Sequence, residues 1–403
     1  MTLTLLLDLD NTLLGNDMDN FLPVYLKSLS QRFPQWPAEE FVRKLMAATQ
    51  MMVRKNNPRF TLEECFDEVF YPSLGVEKSA VIENLNAFYE DEFPKLQFTT
   101  QPRSAAIRLV EQAFSAGYQV VIATNPIFPL AAIQHRLAWA GLPIDRYPFA
   151  LVTSFERFHF SKPNPAYYAE ILAQLGYPEN PVAMIGDSLE EDLIPSASIG
   201  IPGLLINGSS DAIPTGLPAS IQSGSLESAW EWVQTIANQD PTFGSTSSQA
   251  AILATLKSIP AAFDSLCRAL TSAQWNYRPA EKEWTITEIL CHMRDVDSEV
   301  NLPRLQKIAM EDTPFFAGIA TDPWAEERDY FHQSGKLALS TFIDNRTEMT
   351  QLLDHLSSEG WQRPARHAIF GPTTLEELIS FIITHDIVHM CQGFQTLQGA
   401  KQN

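Results

Sequence analysis

Cysteine is scarce in this chain: Cys65, Cys267, Cys291 and Cys391 are four in 403 residues, widely spaced and without a paired framework. That excludes a disulfide-stapled secreted scaffold and fits a reducing compartment, so the expected location is cytoplasmic. Positive charge is also short, with 28 Lys and Arg against 48 Asp and Glu and a net charge of −20. Nucleic acid and anionic membranes demand a basic footprint, so neither is an expected partner. Long hydrophobic runs are missing as well. The apolar run 3–9 is too short for a bilayer, lacks a basic leader and is interrupted by Asp8, and no other stretch reads as a membrane span or signal peptide. No internal repeat or low-complexity tract is found. What remains is 45% apolar and 19% charged, the composition of a folded protein long enough for two or three units.

The run Leu3-Thr4-Leu5-Leu6-Leu7 reads as a buried parallel strand, and it ends in Asp8-Leu9-Asp10. Residues 16–97 turn helical, cut by turn signals at Pro34, Pro37, Asn56-Asn57-Pro58 and Pro72. Helix–strand alternation then resumes, with strands expected at 119–123, 150–152, 182–185 and 203–206 and helices at 102–116, 128–140, 165–175 and 225–237. Alternation of this kind implies a mostly parallel α/β sheet. Residues 238–248 are polar and rich in Ser, Gly and Pro, an interdomain linker by composition. Beyond it no strand is evident, and four helical stretches (249–271, 285–310, 334–358, 373–398) predict an all-α four-helix bundle.

In an open α/β sheet, ligands sit beyond the carboxyl ends of the strands. Asp8 and Asp10 stand there, two residues apart and so pointing the same way off an extended chain. One carboxylate there is placed to attack phosphorus and the other to move a proton. Thr124 ends the strand 119–123, Lys162 precedes a helix in Ser161-Lys162-Pro163, and Asp187 and Asp192 lie in Gly186-Asp187-Ser188-Leu189-Glu190-Glu191-Asp192. Each has a plainer use, as a strand stop, a loop lysine or solvated acids, and Ser188 reads as a helix N-cap.

Taken in order, these motifs over residues 1–237 resemble the haloacid dehalogenase-like superfamily. The resemblance implies a Rossmann-like parallel sheet carrying a helical C1 cap at about 16–97. It makes Asp8 the nucleophile and Asp10 the general acid and base, with Thr124 and Lys162 on the phosphoryl oxygens. It also implies a Mg²⁺ site from Asp8, the Asp10 carbonyl, Asp187 and Asp192. Dehalogenases of the superfamily lack the second acid, so Asp10 points to phosphoester chemistry, with phosphomutase left open beside phosphatase. Asn16, Asp17, Arg54 and Lys55 stand where cap residues could face substrate, or simply on exposed helix faces.

His385 and His389 lie four apart on the last helix and share a face, and His292 sits on the second helix of the bundle. Three imidazoles meeting in a bundle core suit a divalent transition metal, and no Glu follows His385 to serve as a protease base. Asp295 is placed to orient His292 or to pair with a neighbouring cation. Trp230, Trp232, Trp275, Trp284 and Trp361 read as packing anchors, and Cys291 and Cys391 as buried core. The texts Trp275-Asn276-Tyr277-Arg278-Pro279, Glu283-Trp284-Thr285 and Phe370-Gly371-Pro372-Thr373 resemble the DinB/YfiT-like family over 249–398. That resemblance implies bound Zn, Ni or Mn and, in some members, chemistry on a low-molecular-weight thiol.

The expectation is a Mg²⁺-dependent phosphatase acting on a small phosphorylated metabolite, fused over residues 249–403 to a three-His metal module. The alternative puts the activity in the bundle, as a metal-dependent thiol transferase or hydrolase with the first half accessory. A homodimer through the bundle is open to either.

Overall fold

Leu5, Leu6 and Leu7 are fully buried, apolar toward both faces, as the middle of a parallel sheet requires. In the computed structural model, which describes residues 2–239 and 248–402, this run forms β1 (Thr4–Leu7). The described residues fall into two compact units, the first drawn from 2–56, 60–168 and 178–239, the second from 57–59, 169–177 and 248–402. The expected linker at 238–248 lies outside the described residues except for its two first positions and its last.

After β1 the chain runs through β2 (Leu14–Asn16) into the helices α1 (Met18–Gln31), α2 (Ala38–Arg54), α3 (Leu62–Leu74) and α4 (Ile82–Ala87). It returns by β3 (Thr100–Pro102), antiparallel to β2, so the helical insertion hangs from a two-stranded stalk. Then follow α5 (Ser104–Ser115), β4 (Gln119–Ile122), α6 (Leu130–Trp139), β5 (Leu151–Val152), α7 (Pro165–Gln174), β6 (Val182–Gly186), α8 (Ile194–Ser198), β7 (Gly203–Ile206), β8 (Ile221–Gly224) and α9 (Ala229–Ala237). The main sheet is parallel throughout in the order β5-β4-β1-β6-β7-β8. Strand β8 and the stalk strands escaped the sequence pattern because each has only three or four residues and little apolar content. Leu7 pairs with Ile122 on one side and Ile185 on the other, and this register brings Asp8, Thr124 and Asp187 to one edge.

The second unit holds α10 (Gln249–Cys267), α11 (Ser272–Trp275), α12 (Ile286–Val296), α13 (Leu302–Met310), α14 (Trp324–Glu327), α15 (Gly335–Asp354), α16 (Ser358–Trp361) and α17 (Leu375–Gln402). One π-helical turn, Asp297–Asn301, joins α12 to α13. The four long helical stretches match those expected, but the expected absence of strands does not hold. β9 (Phe315–Phe316), β10 (Pro364–His367) and β11 (Gly371–Thr374) form a three-stranded sheet. Strands this short, two of them carrying Pro, show no alternation to detect. A second correction concerns α10, which is long and apolar enough to cross a membrane by length and composition. In this fold 72% of that window is buried, and Leu256, Ile259 and Phe263 are wholly enclosed.

Arg346 is fully buried on α15 and donates to Asp297 at 3.0 and 3.1 Å and to Asp386 on α17. Its guanidinium also lies 4.9 Å from the Phe342 ring centroid. Removing one partner from such a group strands buried charge. Arg346→Ala is expected to lower stability by about 3–5 kcal/mol, seen as an earlier denaturant midpoint. A loss within noise would show that the two acids find other partners.

Candidate active site and candidate metal centre

The end of β1 is built to aim carboxylates. The Asp8 amide donates to Ile185 O at 3.0 Å, continuing the ladder one residue past the strand. Asn11 then takes a left-handed conformation, φ 56°, which short polar side chains tolerate best. Arg103 clamps that turn, donating to Asn11 O and, at 3.3 Å, to Thr12 O.

Asp8 is buried, and Lys162 Nζ donates to its Oδ1 at 2.6 Å and to Asp192 Oδ1 at 2.5 Å. Asp192 stands on a π-helical turn, Leu189–Leu193, that Ser188 caps by accepting from Glu191 N at 3.1 Å. The Ser188 amide in turn donates to Asp192 Oδ2 at 3.1 Å. A Cβ on Gly186 would lie 2.2 Å from that oxygen, so only glycine admits Asp192 here. Asp8, Asp187 and Asp192 each present an oxygen within 4.8 Å of the others. Thr12 Oγ1 approaches Asp187 Oδ1 at 3.4 Å.

Asp10 turns its carboxylate elsewhere. Its Oδ1 accepts from Asn16 Nδ2 at 2.7 Å and its Oδ2 from Arg136, a fully buried side chain of α6. The Arg136 guanidinium lies 4.7 Å from the Phe128 ring centroid, and its Nε and Nη2 have no hydrogen-bond partner. Thr124 is buried beyond β4, with its carbonyl accepting from Tyr167 OH at 2.7 Å and Thr153 Oγ1 at 2.8 Å. Of the insertion residues, Asn16 thus meets the site, Asp17 caps α1, Lys55 donates to His159 O at 3.2 Å, and Arg54 is exposed.

Burial works against the charge on Lys162, but Asp192 and Asp8 outweigh it and raise its pKa well above the usual range. Burial raises the Asp8 carboxyl, with the Lys162 ammonium opposing it. Asp187 is pushed up to about 6 by burial and then by Asp192. Three carboxylates thus share one ammonium, a surplus of negative charge from hard oxygen donors that fits Mg²⁺.

In the second unit, Thr285 starts α12 with a capping box: Glu288 N donates to its Oγ1 at 3.2 Å and its own amide donates to Glu288 Oε2 at 2.8 Å. Arg278 donates to Glu288 Oε1 at 2.9 Å, tying in the segment before. This places His292 two turns inside the helix, fully buried, with Nε2 3.0 Å from His385 Nε2. His389 joins them, ring centroids 4.7 and 4.5 Å from those of His292 and His385. Burial and then His389 lower His292 to about 3, and burial and then His385 lower His389 to about 4, so both rings stay neutral donors. His389 Nδ1 meets Gln392 Oε1 at 3.0 Å, while His385 Nδ1 faces Asp386 Oδ1 at 3.5 Å. Three imidazoles with ligand atoms within 4.8 Å of one another fit a divalent transition metal.

Of the two roles open to Asp295, pairing with neighbouring cations is the one seen, with Arg294 and Arg328 at 2.6 and 2.8 Å and Tyr330 OH also donating at 2.8 Å. One expectation changes here. Trp284 is more than a packing anchor, because it stacks on His389 at 5.6 Å with planes 6° apart and lies 5.0 Å from His292. Its position one residue before the cap Thr285 was the only signal in the sequence. Arg136 gave none, being an ordinary basic residue in an apolar helix.

Residues 2–200 match the family model of haloacid dehalogenase-like hydrolases, and residues 255–392 that of the DinB superfamily. YuaE of Bacillus subtilis (strain 168), a protein of no assigned activity, is 23% identical over 139 residues, 31% of this chain and 84% of that one. Among solved structures, YfiT of Bacillus subtilis, a four-helix bundle, is 19% identical, with 38% of this chain and 88% of that chain covered and a TM-score of 0.35. An HAD phosphatase from Thermococcus onnurineus is 19% identical, covering 58% and 99%, TM-score 0.35. The HAD-hydrolase YfnB of Bacillus subtilis is 20% identical, covering 57% and 98%, TM-score 0.37.

Protons compete with a cation for Asp187, whose pKa lies near 6. Affinity for Mg²⁺, measured by calorimetry on the full chain, is therefore expected to be flat above about pH 7 and to weaken steadily below about pH 6. A pH-independent affinity would remove Asp187 from the site. In parallel, His389→Ala is expected to weaken Zn²⁺ binding by at least about 100-fold in chelator competition; an unchanged affinity would refute a three-His centre.

Proposed function

We propose, for a chain that joins haloacid dehalogenase-like hydrolase residues to DinB-superfamily residues, a Mg²⁺-dependent phosphatase acting on a phosphate monoester. The observation that carries this is the meeting of Asp8, Asp187 and Asp192 around the Lys162 ammonium, with a second carboxylate, Asp10, held two residues beyond Asp8. An Asp8 oxygen forms a bond to phosphorus as the ester P–O bond breaks, and Asp10 in its acid form hands a proton to the leaving oxygen. Water then attacks the aspartyl-phosphate and gives its proton to Asp10, so that the Asp8–phosphorus bond breaks and inorganic phosphate leaves. In this conformation Asn16 and Arg136 take both Asp10 oxygens, so Asp10 gives up one of these partners when it carries the proton. Lys162 neutralises the phosphoryl oxygens, and Thr124 donates to one of them. Asp8, Asp187, Asp192 and the Asp10 carbonyl would hold Mg²⁺, which supplies charge neutralisation at the phosphoryl group. The second acid favours phosphoester hydrolysis over carbon–halogen cleavage, since Asp10 supplies the proton an alkoxide needs.

The bundle's three-His cluster, roofed by Trp284, supports a second reading. His292, His385 and His389 would hold Zn, Ni or Mn, a Lewis acid suited to water or to a low-molecular-weight thiol. Four free cysteines agree with cytoplasmic residence.

Asp8→Asn is expected to abolish phosphate release from a panel of phosphomonoesters in Mg²⁺, and Asp10→Asn to slow it by about 10²–10⁴-fold. Equal activity in Asp8→Asn and wild type would refute the nucleophile. Halide release from haloacids without phosphate release would assign the site to dehalogenation, and transfer of phosphate to a second hydroxyl would make it a mutase.

A further inference from the structure

Close-packed interiors leave few voids larger than a water molecule. The helical insertion is an exception: α1, α2, α3 and α4 enclose a cavity of about 220 Å³, bounded on the sheet side by Ile127, Phe128 and Pro129. Its wall is apolar and adaptable, with Leu22, Leu26, Met18, Met46 and Phe66 among the lining residues. Three of the neutral polar groups on that wall are spent on one another or on backbone. Tyr25 and Tyr89 share a hydrogen bond of 2.9 Å, and Thr49 donates to Leu45 O at 3.0 Å. Every charged group on the wall is an acid, Glu63, Asp67 and Glu156. Glu156 Oε2 and Asp67 Oδ1 are buried without a hydrogen-bond partner.

Two routes tie this cavity to Asp10. Asn16 Nδ2 lies 2.7 Å from Asp10 Oδ1 and 3.7 Å from the sulfur of Met18, a wall residue. Arg136 binds Asp10 with one nitrogen and covers the ring of Phe128, another wall residue, at 4.7 Å. The cavity wall is therefore one side chain from the proton donor in each direction.

We propose that this cavity receives the apolar body of the substrate, which makes the preferred substrate a phosphate monoester of an alkyl or aryl alcohol. This rests on the phosphatase function above. A dry cavity of about 150 Å³ holds benzene, so 220 Å³ accepts a ring with a short tail or a comparable alkyl chain. Glu63 and Asp67 are paired with the Lys78 ammonium at 2.7 Å each, so the cavity itself presents no free cation for a second anionic group such as a carboxylate. The two unpartnered oxygens of Asp67 and Glu156 accept at most a hydroxyl hydrogen on the apolar body. The phosphate stays outside, with the only buried ammonium of the acidic cluster, Lys162.

The test is kcat/KM for methyl, propyl, hexyl and p-propylphenyl phosphate on the full chain in Mg²⁺. Burial of each methylene predicts a gain of about fourfold, rising by at least about 50-fold from methyl to hexyl. Met46→Trp and Leu26→Trp, on different helices, fill the cavity and should shrink that ratio to within about threefold. Calorimetry with p-propylphenol, which carries no phosphate, should show binding to wild type and none to Met46→Trp. Phosphate release with no dependence on the tail overturns the chamber and upholds the phosphatase. Binding of p-propylphenol that Met46→Trp abolishes, with no phosphate released from any ester, upholds the chamber and overturns the phosphatase. If both Trp variants fail to fold, the wild-type ester series decides alone.

Discussion

A single buried ammonium holds the first unit's site together. Two strand ends, those of β1 and β6, deliver three carboxylates to one edge of the sheet, and carboxylates at such range repel one another in a low-dielectric setting. Lys162, reaching Asp8 at 2.6 Å and Asp192 at 2.5 Å, offsets two of them, and Asp187 is left with a pKa near 6. The site is thus poised between a proton and a metal cation on Asp187. A cation would arrive there where negative charge is already in excess.

The second unit repeats the arrangement in different chemistry. Arg346 lies between Asp297 and Asp386, again one buried cation against two acids. The free oxygen of Asp386 faces His385 Nδ1 at 3.5 Å, so the surplus charge sits directly behind a metal-ligand candidate. Both units therefore keep one uncompensated carboxylate next to a cluster of ligand atoms, oxygen in one and imidazole nitrogen in the other. Oxygen donors in one cluster and imidazole donors in the other suit different classes of ion.

Much of this is legible in the sequence. The apolar run ending in Asp8, the strand ending near Thr124 and the acidic turn after Gly186 are local patterns, and a parallel sheet makes such ends converge. The i,i+4 pair His385 and His389 shares a helix face for a similar reason. Other features had no local signature. Arg136 lies 126 positions from the Asp10 it binds, and Arg346 lies 49 and 40 positions from its two acids. Asp295, left open by spacing between His292 and a neighbouring cation, is held by Arg328 and Tyr330 from a later segment. Strands β9, β10 and β11 are too short for a period to appear, so only pairing reveals them.

The sequence by itself determined which chemical groups stand at strand ends and helix faces, since hydrophobic period, capping residues and turn residues act over a few positions. It also determined the charge surplus, which follows from composition. Only the tertiary structure decided how those groups are oriented and what they face: Asp10 toward Asn16 and Arg136, Trp284 over His389, and an apolar cavity one side chain from Asp10. The reason is physical. Side-chain partners and cavities arise where elements remote in the chain are packed together, and packing energy depends on shape and charge across that gap rather than on the order of residues along it.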